Sequence, residues 1–188
     1  MNLRAERITA DFSDKAAVEA LAFEAFPPEE YLASDKLIEM SREDGFDFWA
    51  LYDGALFVGF MAVKCFEAMA YLFFLAIEKP LRAQGYGGRA METMKELYPD
   101  AQRVVDFEMP DSAAPNARQR ESRRRFYLKN GYRPTGRLLS YLGVDYEIFC
   151  AGESFDFARF QTLMSTLKID GFYPRYFVKT CFTASEQV

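Results

Sequence analysis

The residues best suited to chemistry by type and spacing lie in segment 82–88, which reads Arg-Ala-Gln-Gly-Tyr-Gly-Gly. An apolar run at 71–77 precedes this segment, and an amphipathic stretch that ends before Pro99 follows it. This order predicts a strand, a tight turn and a helix N-terminus, where backbone N–H groups and the helix dipole face an anion, usually a phosphate. Gly85 and Gly87 permit positive φ and allow the main chain to approach such a ligand closely.

Two better-known glycine motifs, the Walker A motif and the dinucleotide-binding motif, fit this segment poorly. The Walker A motif needs Gly-Lys-Ser/Thr after its loop, whereas Gly88 is followed here by Arg89 and Ala90. The dinucleotide-binding motif normally follows the first strand of its domain, whereas at least two predicted strands precede segment 82–88. A plain tight turn between a strand and a helix therefore remains the alternative to a phosphate site, and Arg82 is either a charged contact or a solvated side chain.

Composition limits the chemistry that the chain can perform. Its 188 residues are 50% apolar and 16% aromatic, which suits one domain with a sizeable core. The net charge of −5 disfavours general binding of nucleic acid. Histidine is absent, which excludes a Ser-His or Cys-His nucleophilic pair and removes the commonest zinc ligand. Cys65, Cys150 and Cys181 show no metal-type spacing, so we expect buried thiols in a reducing compartment and no metal.

No segment resembles an export signal or a membrane anchor. Residues 1–7 carry charges where a signal peptide needs an apolar stretch. No run approaches the ~20 apolar residues of a membrane span. We therefore expect a cytoplasmic protein without a membrane partner.

Hydrophobic periodicity and turn residues predict an α/β fold of the α+β type. Asp53-Gly54 marks a hairpin between strands at 46–52 and 55–66, the second of which is bent at Gly59. The apolar run before the glycine turn suits a central strand, so we expect a mixed, mostly antiparallel central sheet flanked by helices. The remaining predicted elements are a strand at 3–8, helices capped by Ser13 and Ser34, a helix after Gly88, a strand at 103–109, a helix that ends at Asn130-Gly131, a hairpin of 138–142 with 146–150, and a helix from Ser154 that leads into an aromatic tail reaching about Phe182.

Two segments together resemble the signatures of a known enzyme family. The strand end at 75–77, followed by segment 82–88, resembles the acetyl-CoA signature of the GNAT superfamily of N-acyltransferases. Thirty-nine residues after Gly87, segment 126–132 begins; it reads Phe-Tyr-Leu-Lys-Asn-Gly-Tyr and resembles the second signature of that family, a helix end with a tyrosine. The two segments lie in the expected order with a predicted strand between them.

The resemblance also sets the expected domain organisation. It covers the coarse element order over about 3–150 and implies a GNAT-like acyl-CoA N-acyltransferase core at residues 1–150. Residues 151–188 are not explained by the family core, and we expect a C-terminal helix and aromatic tail packed on the same domain. Some aromatic residues either line an acceptor pocket or belong to the core, namely Phe26, Tyr31, Phe172, Tyr173, Tyr176 and Phe177.

The resemblance implies roles for individual residues. The glycine turn would bind the pyrophosphate of CoA, and the strand end at 75–77 would pair with the pantetheine amides as an added strand does. Strand 71–77 would then splay from strand 103–109 and open a cleft for the thioester. Tyr127 matches the tyrosine that contacts the CoA sulfur and acts as general acid, the alternative being a core aromatic at a helix end. The residues that would contact CoA are Leu75, Ala76, Ile77, Arg82, Ala83, Gln84, Gly85, Tyr86, Gly87, Gly88 and Asn116.

A general base is needed as well, because lysine-like amines have a pKa of about 10.4 and enter protonated. With no histidine in the chain, carboxylates are the candidates. Glu108 is the first candidate because it ends the strand beside the predicted cleft, Glu67 is the second and Asp106 the third. Each has the alternative of being an ordinary solvated carboxylate, and the family has no fixed base.

Basic side chains cluster on the helix before the second signature. Three interpretations are open: a solvated helix face in which Glu121 pairs with Arg124 or Arg125, a clamp for a phosphate of CoA or substrate, and a nucleic-acid patch, which the overall acidity disfavours. The family helix usually carries an asparagine seven residues before its tyrosine; this chain has Arg120 there, and Asn116 lies four residues further back. The cluster consists of Arg118, Arg120, Arg123, Arg124, Arg125 and Lys129.

Taken together, the residues and the resemblance predict an N-acetyltransferase that moves an acetyl group from acetyl-CoA to a primary amine by direct attack in a ternary complex. The acceptor is either a small-molecule amine or a peptide amine, and neither nucleic acid nor a membrane is an expected partner. A homodimer is left open. The alternative is a non-catalytic domain of the same fold that binds CoA or a protein.

Overall fold

An eight-stranded mixed sheet with helices on both faces forms the described part of the protein, in a computed structural model that covers residues 2–28, 30–152 and 154–178. No helix within these ranges is long and apolar enough to cross a membrane. In chain order, the elements are β1 (Arg4–Arg7), α1 (Lys15–Ala25), α2 (Ser34–Met40), β2 (Phe46–Asp53), β3 (Leu56–Phe66), β4 (Met69–Ile77), a 3₁₀ turn (Lys79–Leu81), α3 (Tyr86–Leu97), β5 (Gln102–Glu108), α4 (Ala117–Lys129), β6 (Arg133–Tyr141), β7 (Val144–Ala151), α5 (Phe157–Ser165) and β8 (Arg175–Val178).

The strands lie in the order β1-β2-β3-β4-β5-β7-β6-β8. Neighbours are antiparallel except for β4 and β5, which are parallel and are joined by the crossover helix α3. This arrangement confirms the predicted fold class. The aromatic tail was not predicted as a strand, yet its part at 175–178 is β8 and pairs with β6 at the sheet edge. Cys181 and the end of the predicted tail at Phe182 lie outside the described residues.

Each face of the sheet carries its own apolar core. Helices α1, α2 and α5 cover one face, and α3 and α4 cover the other. Successive side chains of a strand point to opposite faces. In β5, Val104 belongs to the core under α1 and α5, whereas Val105 and Phe107 belong to the core under α3 and α4. The same alternation directs Asp106 to the side of α1 and α5.

A β-bulge lies in the middle of β4. Ala62 of β3 pairs with Phe74, but the next residue, Val63, pairs with Leu72. Phe73 is therefore an extra residue with no partner of its own in the register between these two strands. Such bulges bend a strand and increase its twist, and this one bends β4 where the strand departs from β5.

The predicted bend at Gly59 is present. The register of β2 and β3 shifts between Leu51 and Tyr52, next to the pairing of Leu51 with Gly59. A Cβ at Gly59 would lie 2.0 Å from the carbonyl oxygen of Ala76, so only glycine allows β3 to approach β4 at this point. The close approach fixes the end of β4 just before the glycine turn.

Two predicted helix caps are wrong. Helix α1 begins after Asp14, so Ser13 is not its N-cap. Helix α2 begins at Ser34 itself rather than after it, and the backbone N–H of Ser34 donates to a carboxylate oxygen of Glu19 at 2.6 Å. The start of α2 is thus stabilised by a side chain of α1, which local capping patterns do not reveal.

Candidate active site

The glycine turn ends at the N-terminus of α3. Ala83 and Gly85 have positive φ values of +62° and +88°, and α3 begins at Tyr86 rather than after Gly88. Among the described residues, none accepts a hydrogen bond from the backbone N–H of Tyr86, Gly87 or Gly88. Three donors are therefore free at the positive end of the helix dipole, which is the arrangement that binds phosphate groups.

The side chains of the turn are held by the protein itself. Arg82 donates to the carbonyl oxygen of Ile77 at 2.8 Å and pairs with Glu24 of α1 at 2.6 Å. Gln84 donates to the carbonyl oxygen of Pro80 at 2.7 Å. These contacts close the turn, so an anion here would meet backbone N–H groups before it met a free guanidinium.

The two sequence motifs meet in space. A Cβ on Gly87 would lie 3.0 Å from a ring carbon of Phe126, and one on Gly88 would lie 3.4 Å from the side-chain oxygen of Asn130. Gly87 does not have a positive φ, because it lies inside α3. The freedom to adopt a positive φ is therefore used at Gly85 but not at Gly87. Glycine is needed there because α3 packs closely on α4, the helix that carries Tyr127.

The sheet opens between β4 and β5. The two strands pair at three positions, the last of which joins Tyr71 to Val104. Beyond this pair the strands diverge, and a cleft of about 370 Å³ lies between residues 72–75 of β4 and 105–108 of β5. The strands therefore splay as expected. Leu75, one of the predicted pantetheine contacts, lines the cleft.

Tyr127 is buried in the wall of this cleft. Its ring stacks on Phe107, with 5.1 Å between the ring centroids and 17° between the planes. Burial raises the pKa of Tyr127 to about 12, while the positive charge of Arg123 opposes the rise. No described residue forms a hydrogen bond with its hydroxyl. The phenol therefore stays protonated at neutral pH, and its proton is available to a group inside the cleft.

Glu108 also lines the cleft, but protein groups surround its carboxylate. Arg120 and Arg123 lie 2.9 and 3.0 Å from its oxygens, and the side-chain amide of Asn116 donates to both oxygens at 3.1 Å. Arg120 also donates to the amide oxygen of Asn116 at 2.7 Å. Both oxygens are thus occupied by side chains of the protein, so the geometry does not support Glu108 as the general base. The amide of Asn116, expected at the CoA site, is likewise engaged within the protein.

Asp106 also lines the cleft, and its carboxylate is held by hydroxyl groups instead of by cations. It accepts hydrogen bonds from the hydroxyls of Tyr71 at 2.6 Å and Tyr141 at 3.2 Å. Burial, with a smaller contribution from the charge of Glu30, raises the pKa of Asp106 to about 6, although both hydroxyls oppose the rise. A carboxyl with this pKa is mostly ionised at neutral pH and basic enough to accept a proton.

The arginine cluster of α4 is largely paired within the protein. Besides the two arginines on Glu108, Arg124 lies 3.0 Å from Glu147 of β7. Arg125 pairs with Glu121 at 3.5 Å, which is one of the two pairings predicted. These contacts do not favour a phosphate clamp, and they differ from the solvated helix face of the sequence analysis because three of the arginines pair with carboxylates of the sheet. Arg118 and Lys129 are exposed.

The remaining candidates divide between the cleft and other places. Phe26 and Phe172 line the cleft. Glu67, the second candidate base, lies in the turn between β3 and β4, where Arg159 pairs with it at 2.8 Å. It is not part of the cleft lining. The other aromatic candidates also lie outside that lining: Tyr31, Tyr173, Tyr176 and Phe177.

Five polar residues of the cleft were missed by the sequence reasoning, namely Glu30, Tyr71, Gln119, Tyr141 and Tyr146. Tyr146 donates to Glu30 at 2.7 Å, and its ring stacks on that of Tyr141 at 4.0 Å. The hairpin of β6 and β7 held a usable signal, because its register places these two tyrosines diagonally on one face. Glu30 gave no such signal, since it lies in the irregular connection between α1 and α2.

The architecture is that of acyl-CoA N-acyltransferases: a mixed sheet that opens between its two parallel strands, with a glycine turn at the start of the crossover helix. Residues 44–134 match the family model described as an acetyltransferase (GNAT) domain. This match, which spans slightly less than half of the chain, confirms the resemblance to the GNAT superfamily that the two motifs predicted. No curated protein sequence matches the chain.

Solved structures agree with this assignment. A Bacteroides thetaiotaomicron protein assigned to the GNAT family is 25% identical, with a TM-score of 0.66 over 85% of this chain and 92% of that chain. The ribosomal-protein-S18-alanine N-acetyltransferase of Escherichia coli is 15% identical, with a TM-score of 0.60 over 82% and 96%. An aminoglycoside 6′-N-acetyltransferase complexed with coenzyme A is 16% identical, with a TM-score of 0.62 over 81% and 99%. At these identities the last two matches define the fold alone.

Proposed function

We propose that the protein is an N-acetyltransferase that transfers the acetyl group of acetyl-CoA to a primary amine by direct attack in a ternary complex. The observation that carries this proposal is the cleft between β4 and β5, which holds both Tyr127 and Asp106. The turn that follows β4 leads to three free N–H groups at the start of α3. One continuous stretch of chain thus offers a thioester channel and a pyrophosphate site.

The donor would lie along β4. Its pyrophosphate takes the N–H groups of Tyr86, Gly87 and Gly88, and the helix dipole adds to the attraction. Its pantetheine amides pair with the strand edge that β4 leaves open beyond Tyr71, toward the strand end at 75–77. The thioester then reaches the part of the cleft that Tyr127 lines.

Asp106 and Tyr127 divide the proton transfers. Asp106 takes one proton from the incoming ammonium, and the neutral amine attacks the thioester carbonyl to form the C–N bond. The tetrahedral intermediate loses its surplus N–H proton to water. As the C–S bond breaks, Tyr127 hydrogen-bonds the sulfur and protonates it, so that CoA leaves as a thiol and the phenolate recovers a proton from water.

The alternative of a non-catalytic CoA-binding domain is less consistent with the cleft. A pKa of about 6 for Asp106 reflects burial of a carboxylate, which costs stability. Such shifted groups in clefts are typical of proton transfer. A domain that only binds CoA gains nothing from this arrangement.

The reaction can be tested in two steps. First, isothermal titration with acetyl-CoA should give saturable binding, and the melting temperature should rise with ligand concentration. Second, release of free thiol should be followed with a panel of primary amines, and the acetylated product identified by mass spectrometry. Binding without thiol release from any amine would favour the non-catalytic alternative, and absence of binding would refute both.

A further inference from the structure

Besides Asp106 and Glu108, the cleft contains a third carboxylate, which the proposed reaction does not use. Glu30 lies in the connection between α1 and α2 and lines the cleft together with Asp106. Its carboxylate accepts a hydrogen bond from Tyr146 at 2.7 Å. The groups that donate hydrogen bonds to the oxygens of Asp106 and Glu30 are neutral tyrosine hydroxyls and not cations. The remaining lone pairs of both carboxylates are therefore available to a cationic ligand.

The position of Glu30 is fixed by its surroundings. Its neighbour Tyr31 donates a hydrogen bond to Glu19 of α1, and the same carboxylate accepts from the backbone N–H of Ser34 at 2.6 Å. Phe26, at the other end of the connection, packs on Phe74 of β4 with 4.4 Å between the ring centroids. These contacts hold the connection over the cleft, so Glu30 is not a freely solvated side chain.

The charges around the cleft select the kind of ligand. Among the described residues that line it, the one basic side chain is Arg123, which Glu108 neutralises at 3.0 Å. Asp106 and Glu30 are therefore left without a cationic partner. They are close enough for the charge of Glu30 to raise the pKa of Asp106, and the stacked rings of Tyr141 and Tyr146 link them.

The cleft that these carboxylates line suits an apolar body of small size. Phe74 and Phe172 line the cleft, and Phe172 packs edge-on against Tyr141 at 5.0 Å. The whole cleft measures about 370 Å³ and must also admit the acetyl end of the donor. Methylene groups fit between aromatic walls, and ammonium groups are attracted by the faces of the rings as well as by the carboxylates.

We propose that the acceptor is a small linear diamine, whose reacting ammonium faces Asp106 while its second ammonium is held by Glu30. This proposal deepens the proposed function and rests on it. A zwitterionic amino acid is disfavoured, since its own carboxylate would lie beside two others. A bulky polycationic amine is positively charged like a diamine, but it is too large for a cleft of about 370 Å³ that also admits the acetyl end of the donor.

The test compares diamines with monoamines of equal length. Purified full-length protein is assayed with acetyl-CoA and 1,3-diaminopropane, 1,4-diaminobutane and 1,5-diaminopentane, and with propylamine, butylamine and pentylamine. We expect kcat/KM for the best diamine to exceed that of its matched monoamine by about tenfold or more. In Glu30→Gln this ratio should fall to near one, mainly through KM for the diamine. Glu39→Gln, which removes an exposed carboxylate of α2 paired with Lys36, should keep the wild-type ratio.

A binding measurement separates this proposal from the proposed function. Titration of each of the three diamines into the protein saturated with CoA should show binding of at least one of them, which Glu30→Gln weakens about tenfold, whether or not turnover occurs. A wild-type ratio near one, a ratio that Glu30→Gln does not change, or a preference for an amino acid or an aminoglycoside would overturn the diamine. Diamine binding without thiol release would leave the subsite intact and refute the acetyl transfer instead.

Discussion

The environment of Asp106, the proposed base, follows from its position on β5. The alternation of β5 turns Asp106 away from Phe107 and Tyr127 and toward Tyr71 and Tyr141. Its folded-state pKa is about 6, against 3.8 for the unperturbed group. Raising the pKa of an acid penalises its charged form, so this group lowers stability above about pH 6, and the penalty disappears as the pH falls to about 4.

Asp106→Asn should therefore lower activity while it raises stability. We expect kcat to fall by about 100-fold or more, and the free energy of unfolding at pH 8 to rise by about 1–3 kcal/mol, a gain that vanishes near pH 4. The wild-type kcat/KM should increase with pH through an ionisation near pH 6. Urea denaturation at both pH values and a pH–rate profile measure these effects. Loss of stability at pH 8 would contradict the assignment of a penalised carboxylate.

Tyr127→Phe should separate turnover from binding. The variant keeps the ring on Phe107 and removes a hydroxyl that no described residue hydrogen-bonds, so stability and acetyl-CoA affinity should change little. We expect kcat to fall by about 10–100-fold because the leaving sulfur loses its proton donor. Tyr132→Phe is the matched control: that tyrosine is buried beside Tyr127, and its hydroxyl contacts Met94 instead of the cleft. Equal effects of the two substitutions would remove Tyr127 from the chemistry.

The sequence identifies some of these residues and misplaces others. Tyr127 is found because its motif is local. The sequence ranks Asp106 below Glu108 because Glu108 lies nearer to the end of the predicted strand. Nothing in the local sequence shows which of the two carboxylates pairs with arginines. Arg120 and Arg123, which neutralise Glu108, come from the following helix, so their effect depends on how that helix docks.

At the scale of elements, α4 is bound to the sheet by ionic contacts. Glu108 of β5 holds Arg120 and Arg123, and Glu147 of β7 holds Arg124, whose guanidinium also lies 5.6 Å from the ring centre of Phe149. Both carboxylates are well shielded from solvent, with 14% and 5% of their side chains exposed. These ion pairs fix the helix that carries the candidate acid.

Glu108→Gln should lower the free energy of unfolding, and it should have a smaller effect on kcat. Arg120, with 15% of its side chain exposed, would lose its charge partner, and we expect a loss of about 1–3 kcal/mol in the free energy of unfolding. Glu121→Gln removes an exposed pairing on the same helix and should cost at most about 0.5 kcal/mol. Chemical denaturation and steady-state kinetics measure both. A 100-fold drop in kcat at unchanged stability would return Glu108 to the role of base.

Gly87→Ala should loosen the contact between α3 and α4. The added methyl group would lie 3.0 Å from the ring of Phe126, so we expect about 1–3 kcal/mol of destabilisation and weaker acetyl-CoA binding. Combining Gly87→Ala with Phe126→Leu should recover part of the lost stability, because the smaller side chain leaves room for the added methyl group. Gly85→Ala meets no atom within 4 Å but has a φ of +88°, and it should cost about 1 kcal/mol without coupling to Phe126. Additive effects of the Gly87 and Phe126 changes would refute the packing role.

Strands are predicted better than helix boundaries, and the reason is physical. The Asp53-Gly54 turn and the alternation around it are local, and β2 and β3 form as expected. The start of α2 depends on Glu19, fifteen residues earlier, and β8 depends on pairing with β6. Contacts between distant segments decide these elements, so local periodicity cannot show them.

At the scale of the whole molecule, the described part of the C-terminal segment, residues 154–178, contributes side chains to the core. Family resemblance stops near residue 134 in the matched model, yet α5 packs under the sheet and β8 extends it. Phe160 of α5 is fully buried and packs edge-on against Tyr71, the residue that donates to Asp106. The segment therefore supports the floor of the cleft.

Phe160→Ala should destabilise the whole protein by about 3–5 kcal/mol, because it opens a cavity in the core under α5. Such a loss is a large share of typical domain stability. Tyr173→Ala, in the same segment but 81% exposed, should stay within about 0.5 kcal/mol of the wild type. Urea unfolding followed by circular dichroism compares the two. A small effect of Phe160→Ala would indicate that the segment is an appendage to an independent core.

The short pairing of β4 with β5 divides the sheet into two four-stranded halves that share a seam of three residue pairs. A donor whose amides pair with the open edge of β4 lengthens this seam and becomes a structural part of the sheet. At a concentration of one hundred times its Kd, such a ligand adds about 2.7 kcal/mol to the free energy of unfolding. We therefore expect bound donor to couple the unfolding of the two halves more tightly than the three residue pairs do alone.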